Sequence, residues 1–172
     1  MSSAILAHPA LRRWPIFPED RLGTALWTSA QIAEATGGTA SGEFQCAGVE
    51  MDSRDVRSGD LFVALRGEAM DGHRFVDAAF AAGAAAALVD RPVDFPHVLV
   101  ADTTEALKAL ALAARARTTA RIVGVTGSVG KTGVKEALFA ALERSSRGAA
   151  HRSTRSYNNH VGVPLSLARM PA

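Results

Sequence analysis

The sequence has one cysteine in 172 residues and few aromatic side chains, which make up 6% of the chain. With Cys46 as the single cysteine, an internal disulfide framework is excluded and a reducing compartment is indicated. We interpret Cys46 as a small buried thiol, and a nucleophile is the alternative.

Long hydrophobic runs are also missing. The most apolar stretch, residues 78–89, is mostly alanine and too short to cross a bilayer. Near the N-terminus, Arg12, Arg13, Pro15 and Pro18 interrupt any apolar segment, so we expect no signal peptide and a cytoplasmic location without membrane insertion.

The chain has little net charge, only +2, but the charge is unevenly distributed. Residues 119–172 contain eight of the 19 basic residues and two of the 17 acidic ones. Few aromatic residues accompany the arginines there, so the pattern does not favour nucleic acid as a partner. A solvated surface or contacts to further protein explain these charges better.

What the sequence does contain is a glycine-rich turn followed by Lys-Thr, at residues 124–132. Residues 121–126, which lead into this turn and overlap its start, are rich in β-branched side chains. Apolar residues at helical spacing come after the turn. We therefore predict a strand, a phosphate-binding loop and a helix in that order. Val125 stands where the usual pattern has its first glycine, and a glycine turn beside an incidental lysine is the alternative. The candidate ATP-binding residues are Gly127, Ser128, Val129, Gly130, Lys131, Thr132 and Gly133.

Strand and helix patterns alternate along the rest of the chain, which predicts an α/β fold. We expect strands at 61–65, 84–89 and 97–101 and helices at 28–35, 75–82 and 103–116. A change of composition near residue 118 predicts three parts: an irregular extension (1–24), a small N-terminal α/β domain (25–118), and the incomplete start of a phosphate-loop central domain (119–172).

Five motifs in a fixed order resemble the Mur ligases of peptidoglycan synthesis. They are Asp-Ser-Arg at 52–54, Gly-Asp-Leu-Phe-Val-Ala-Leu-Arg-Gly at 59–67, Asp-Gly-His at 71–73, the loop at 126–132 and Tyr-Asn-Asn-His-Val-Gly-Val-Pro at 157–164. Ser128 with Val129, Lys135 with Glu136, and the Asn-Asn-His run favour the branch that adds D-alanyl-D-alanine to UDP-N-acetylmuramoyl-tripeptide. The neighbouring branch, which adds diaminopimelate or lysine, remains an alternative.

The resemblance implies a cytoplasmic enzyme, monomeric at full length, that uses ATP and Mg²⁺ to form an amide through an acyl phosphate. Lys131 would be the catalytic residue, neutralising charge on the transferred phosphoryl group, and Thr132 would hold the metal. The UDP-substrate would be bound by Ser53 and Arg54, whose planar fork suits phosphate. Asn158 and Asn159 would also bind it, from a loop beside the phosphates or the UDP-sugar; two asparagines in an ordinary turn are the alternative.

The family pattern continues beyond these motifs, with acidic magnesium ligands and a closing domain that this sequence does not supply. We therefore expect the chain alone to show no ligase turnover. A UDP-sugar-binding module that performs no chemistry is the alternative. We assign no catalytic role to the turn at Asp71-Gly-His73.

Overall fold

A five-stranded sheet forms the centre of the molecule in the computed structural model, which describes residues 25–67, 70–153 and 159–171. The strands are β1 (Trp27–Thr28), β2 (Thr39–Ala40), β3 (Gln45–Cys46), β4 (Gly48–Glu50), β5 (Asp60–Val63), β6 (Ala86–Val89) and β7 (His97–Leu99). The helices are α1 (Ser29–Thr36), α2 (Val76–Ala81), α3 (Thr103–Ala116), α4 (Lys131–Ser145) and α5 (Gly162–Ala168), with a 3₁₀ turn at Gly72–Phe75.

The main sheet has the order β2-β7-β6-β5-β4, in which β4 to β7 run parallel and β2 is antiparallel to β7. β1 and β3 form a separate antiparallel pair. The α/β class is confirmed, and the three predicted strands are found with slightly different ends. The predicted extension at 1–24 lies outside the described residues.

Both faces of the sheet are covered, because successive residues of β5 and β6 are buried on opposite sides. Leu61 and Val63 face a core shared with α1, α3 and α5. Phe62 and Ala87 face a smaller core shared with α2. The result is three layers, with the carboxyl ends of four parallel strands at one edge.

Local signals fix the ends of two helices where they were predicted. Thr28 and Gln31 form a capping box at the start of α1, and Gly37 ends that helix with φ +66°. The carboxylate of Asp102 accepts the backbone N–H groups of Thr104 and Glu105 at 2.7 and 3.0 Å, which starts α3.

The segment 121–126 is not a strand, so the strand predicted before the glycine loop is wrong for the described chain. Its residues are almost all exposed, and no described strand lies beside them. A β-branched sequence becomes a strand only when neighbouring strands supply its hydrogen bonds, and no strand in the described part of the chain does so here. The predicted helix after the loop is confirmed as α4, although none of its residues is buried.

Helix α5 packs on the core of the N-terminal part of the chain. Leu165 and Ala168 are completely buried in the larger core. The indole N–H of Trp27 donates to the carbonyl of Ala168 at 2.9 Å. Arg117 donates to the carbonyls of Leu26 and Met170 at 2.8 and 3.1 Å.

Within the described ranges, no helix is both long and apolar enough to cross a membrane.

Candidate functional site

The glycine loop leads directly into the N-terminus of α4. Gly130 takes the left-handed conformation, with φ +78°, immediately before the first helical residue. No side chain forms a cap hydrogen bond at this helix end. A Cβ at Gly130 or Gly133 would meet nothing within 4 Å, so the space around the loop is open. Such a helix end offers backbone N–H groups and the positive end of the dipole to an anion.

Lys131 is the first residue of α4, and its ammonium group turns back over the loop to donate to the carbonyl of Gly127. Thr132 follows it in the first turn of the same helix. The loop, the ammonium and the hydroxyl therefore lie at one helix end, which fits a triphosphate with its divalent cation. Val129 projects into solvent and is 87% exposed, so within the loop its backbone, and not its side chain, suits phosphate.

Arg152 and Ser153 contact the side of α4. The Lys135 ammonium donates to the carbonyl of Ser153 at 2.9 Å, and burial together with the neighbouring Arg152 lowers the pKa of Lys135. Glu136 pairs with both cations, and the Arg152 guanidinium stacks on the ring of Phe139 at 4.4 Å. These contacts hold residues 152 and 153 against α4.

Asn159 lies just before α5, and its side-chain oxygen accepts the N–H of Gly162 at 2.7 Å. The structure therefore uses this amide oxygen to order the start of the helix. Asn158, the other predicted UDP-substrate residue of this motif, lies outside the described residues.

The predicted UDP-substrate residues Ser53 and Arg54 lie in the loop that leaves the carboxyl end of β4. Ser53 is half-buried, whereas the Arg54 side chain is 86% exposed. The guanidinium forms a two-pronged pair with Asp52, with Nε and Nη2 donating at 2.9 and 2.6 Å. This pairing raises the pKa of Arg54 and holds the planar fork in a defined orientation.

Glu50 is a buried residue that the sequence motifs did not indicate. It ends β4 and is 6% exposed. One carboxylate oxygen accepts the N–H groups of Met51 and Asp52 at 2.9 and 3.3 Å. The other pairs with Arg169, whose Nε also donates to the carbonyl of Val49 at 2.6 Å. The partner lies 119 positions away, so no local pattern could have revealed the pair.

The Asp71-Gly-His73 turn forms a polar cluster at the same sheet edge. Asp71 accepts from the backbone N–H of His73 at 3.0 Å and from Arg91 at 2.6 Å, and its carboxylate contacts the His73 ring at 2.8 Å. The other ring nitrogen accepts the N–H of Asp90 at 3.2 Å. The His73 side chain is 3% exposed, so this cluster joins loops after β5 and β6 and presents no accessible base.

Apart from Asn159, which lies before α5, the structure places the described candidate residues in two groups. Residues 127–133 surround the N-terminus of α4, and Ser53 and Arg54 lie at the carboxyl end of β4. Carboxyl ends of parallel strands are the usual position for ligands in α/β sheets. Among the described residues, no group of three or more His, Cys, Asp or Glu side chains could hold a metal.

Two family models match the chain in succession: the Mur ligase family catalytic domain over residues 45–123 and the Mur ligase middle domain over residues 125–172. The chain belongs to the Mur ligase family. Members of this family are ATP-dependent ligases.

Individual relatives agree with this family. The UDP-N-acetylmuramoyl-tripeptide–D-alanyl-D-alanine ligase of Synechocystis is 47% identical over 124 residues, which is 69% of this chain and 27% of the relative. A MurF crystal structure from Acinetobacter baumannii matches with a TM-score of 0.66 and 36% identity, over 84% of this chain and 33% of that one. MurF from Thermotoga maritima, solved with ADP, matches with a TM-score of 0.52 and 35% identity, over 71% and 29%. The chain therefore spans about a third or less of the length of these proteins.

Proposed function

We propose that this chain carries the UDP-substrate loop and the ATP loop of a ligase of peptidoglycan precursor synthesis. The reaction is the ATP-dependent joining of D-alanyl-D-alanine to UDP-N-acetylmuramoyl-tripeptide, in the cytoplasm. The observation that carries the proposal is the open glycine loop at the N-terminus of α4, with Lys131 over it, in a chain similar to D-alanyl-D-alanine ligases of this family.

At the ATP end, ATP supplies the phosphoryl group that makes a substrate carboxylate reactive. The residues at 127–133 bind its phosphates through backbone N–H groups, and the α4 dipole favours their negative charge. Lys131 leaves Gly127 to meet the outer phosphate oxygens, where its charge is needed most. The Thr132 hydroxyl is the Mg²⁺ ligand that this part of the chain contributes.

At the UDP end, the hydroxyl of Ser53 and the guanidinium of Arg54 bind the nucleotide. Asp52 occupies one edge of the Arg54 fork, so it orients the remaining donors toward a diphosphate. Asn159 and Asn158 contribute from the sequence motif that precedes α5, and α5 itself packs on the core of the N-terminal part.

The test measures binding of two nucleotides to the 172-residue chain by isothermal titration calorimetry. We expect UDP-N-acetylmuramoyl-tripeptide and MgATP each to bind at one site, and UDP to compete only with the first. UDP-N-acetylglucosamine, which lacks the lactyl peptide, is the matched control and is expected to bind more weakly. A coupled ADP-release assay with D-alanyl-D-alanine is expected to show no turnover by this chain alone. Failure to bind either nucleotide would contradict the proposal.

A further inference from the structure

A buried ion pair joins α5 to the end of β4. The side chains of Glu50 and Arg169 are 8% and 13% exposed, and the guanidinium contacts both the Glu50 carboxylate and the Val49 carbonyl. Because α5 follows the glycine loop and α4 in the chain, this pair connects the ATP-loop segment to the strand that carries the Asp52-Ser53-Arg54 loop.

The same carboxylate organises the loop on its other side. Its second oxygen accepts the N–H groups of Met51 and Asp52, the two residues that begin the loop. The Asp52 carboxylate then accepts from the backbone N–H of Arg54 at 3.1 Å and from its guanidinium. An unbroken series of hydrogen bonds therefore runs from Arg169 through Glu50 and Asp52 to Arg54.

Other contacts hold α5 against the larger core without the Glu50–Arg169 pair. Arg117 already donates to the Met170 carbonyl at the end of that helix and stacks on the Trp27 ring at 3.8 Å, and Leu165 is fully buried. A buried ion pair gives little net stability compared with apolar residues of similar volume, because both charges lose their water. What apolar residues could not supply is an acceptor aimed at the start of the loop.

We propose that Glu50 and Arg169 are positioning residues that set the conformation of the 52–54 loop for the UDP end of the substrate. The inference rests on the proposed function for the identity of the ligand. In this arrangement α5 determines where Ser53 and Arg54 point, so the UDP site is complete only when the segment after the ATP loop is docked.

Three variants of the 172-residue chain test this. Glu50→Gln has only one acceptor oxygen, so it can serve the loop or Arg169 but not both. Arg169→Lys keeps the charge but cannot reach both the Val49 carbonyl and Glu50 with one planar group. Arg117→Met is the matched control, because it removes contacts to Leu26, Trp27 and Met170, which follows α5, and none of its contacts is to residues 48–54.

We expect Glu50→Gln and Arg169→Lys each to weaken UDP-N-acetylmuramoyl-tripeptide binding by roughly tenfold, the effect of losing a hydrogen bond to a charged group. MgATP affinity is expected to stay unchanged. Arg117→Met is expected to lower the melting temperature and leave UDP-substrate affinity within about twofold at a temperature where it is folded. If both test variants bind the UDP-substrate as tightly as wild type, or if Arg117→Met weakens binding equally, the positioning role is wrong.

Amide hydrogen exchange provides a second measurement that needs no ligand. In wild type and Arg117→Met, the N–H groups of Met51 and Asp52 are expected to be protected, and in Glu50→Gln and Arg169→Lys their exchange is expected to accelerate more than that of β5. If wild type binds no UDP-substrate but shows this exchange pattern, the proposed function fails and the positioning of the loop stands. Unchanged exchange at both amides overturns the inference.

Discussion

Cys46 is predicted to be inert while the chain is folded. Its thiol is 1% exposed, and burial, followed by the nearby charge of Asp60, raises its pKa to about 12. At about pH 8 only about one thiol in ten thousand would then be ionised. We expect no reaction with Ellman's reagent on the folded chain and complete reaction in concentrated guanidinium chloride. Rapid modification of the folded chain would contradict the burial of this residue.

Asp71 is predicted to make the folding stability of the chain depend on pH under acidic conditions. The pKa of its carboxyl group lies well below the usual range, because of Arg91 first and then the backbone N–H and ring of His73. A depressed folded pKa stabilises the fold above the unfolded value of about 4, and this contribution is lost as the pH falls below that value.

The measurement compares melting temperatures of wild type and Asp71→Asn across pH. The difference is expected to be constant from about pH 8 to pH 5 and to shrink below about pH 4. Asp94→Asn, at an exposed position in the turn after β6, is the control and should differ little from wild type throughout. A difference that grows as the pH falls would show that Asp71 does not act through its charge.

Single residues also show how far sequence reasoning reached. Lys131 was correctly placed at the start of a helix, because its glycine loop and helical spacing are local signals. Glu50 was missed because its burial depends on Arg169, a partner that only the folded chain brings close. The roles predicted for Ser53 and Arg54 remain predictions, although the structure places both at a sheet edge where ligands commonly bind.

Among the elements, helices were easier to predict than short strands. α1 and α3 each begin with a side-chain cap that bonds a residue within three positions, so the signals for their starts are contained in the local sequence. β1 to β4 have only two or three residues each, too few to show a period. Residues 121–126 have a strand-like composition but no described partner strand. Composition alone does not predict whether a partner strand will be present.

Helix α5 provides a prediction about stability. Leu165 is completely buried between this helix and the larger core, whereas Val163 on the same helix is 48% exposed. Leu165→Ala is expected to destabilise the chain by about 2–5 kcal/mol, and Val163→Ala by about 0.5 kcal/mol or less. Urea unfolding followed by circular dichroism measures both. Equal small effects would show that α5 does not belong to the core.

For the molecule as a whole, the alternation of strands and helices was enough to predict the α/β class, since parallel strands need crossover helices. It did not reveal that α5 returns to the first core. That contact joins residues such as Trp27 and Ala168, which are 141 positions apart. The periodicity of a sequence does not predict contacts between residues so far apart. In the proposed function, the ATP loop at the start of α4 and the UDP-substrate loop after β4 are therefore separate, and α5 connects the chain segments that carry them.

This separation predicts that the two sites can be disabled independently. Lys131→Met removes the ammonium at the glycine loop and is expected to weaken MgATP binding by about 1.5–3 kcal/mol, with UDP-N-acetylmuramoyl-tripeptide binding unchanged. Arg54→Met is expected to have the opposite pattern, because its fork lies at the end of β4. Lys108→Met, on the exposed side of α3, is the control for loss of a positive charge and should change neither affinity. Isothermal titration calorimetry of all three variants measures both affinities. If Lys131→Met lost affinity for both ligands, the two loops would form one site.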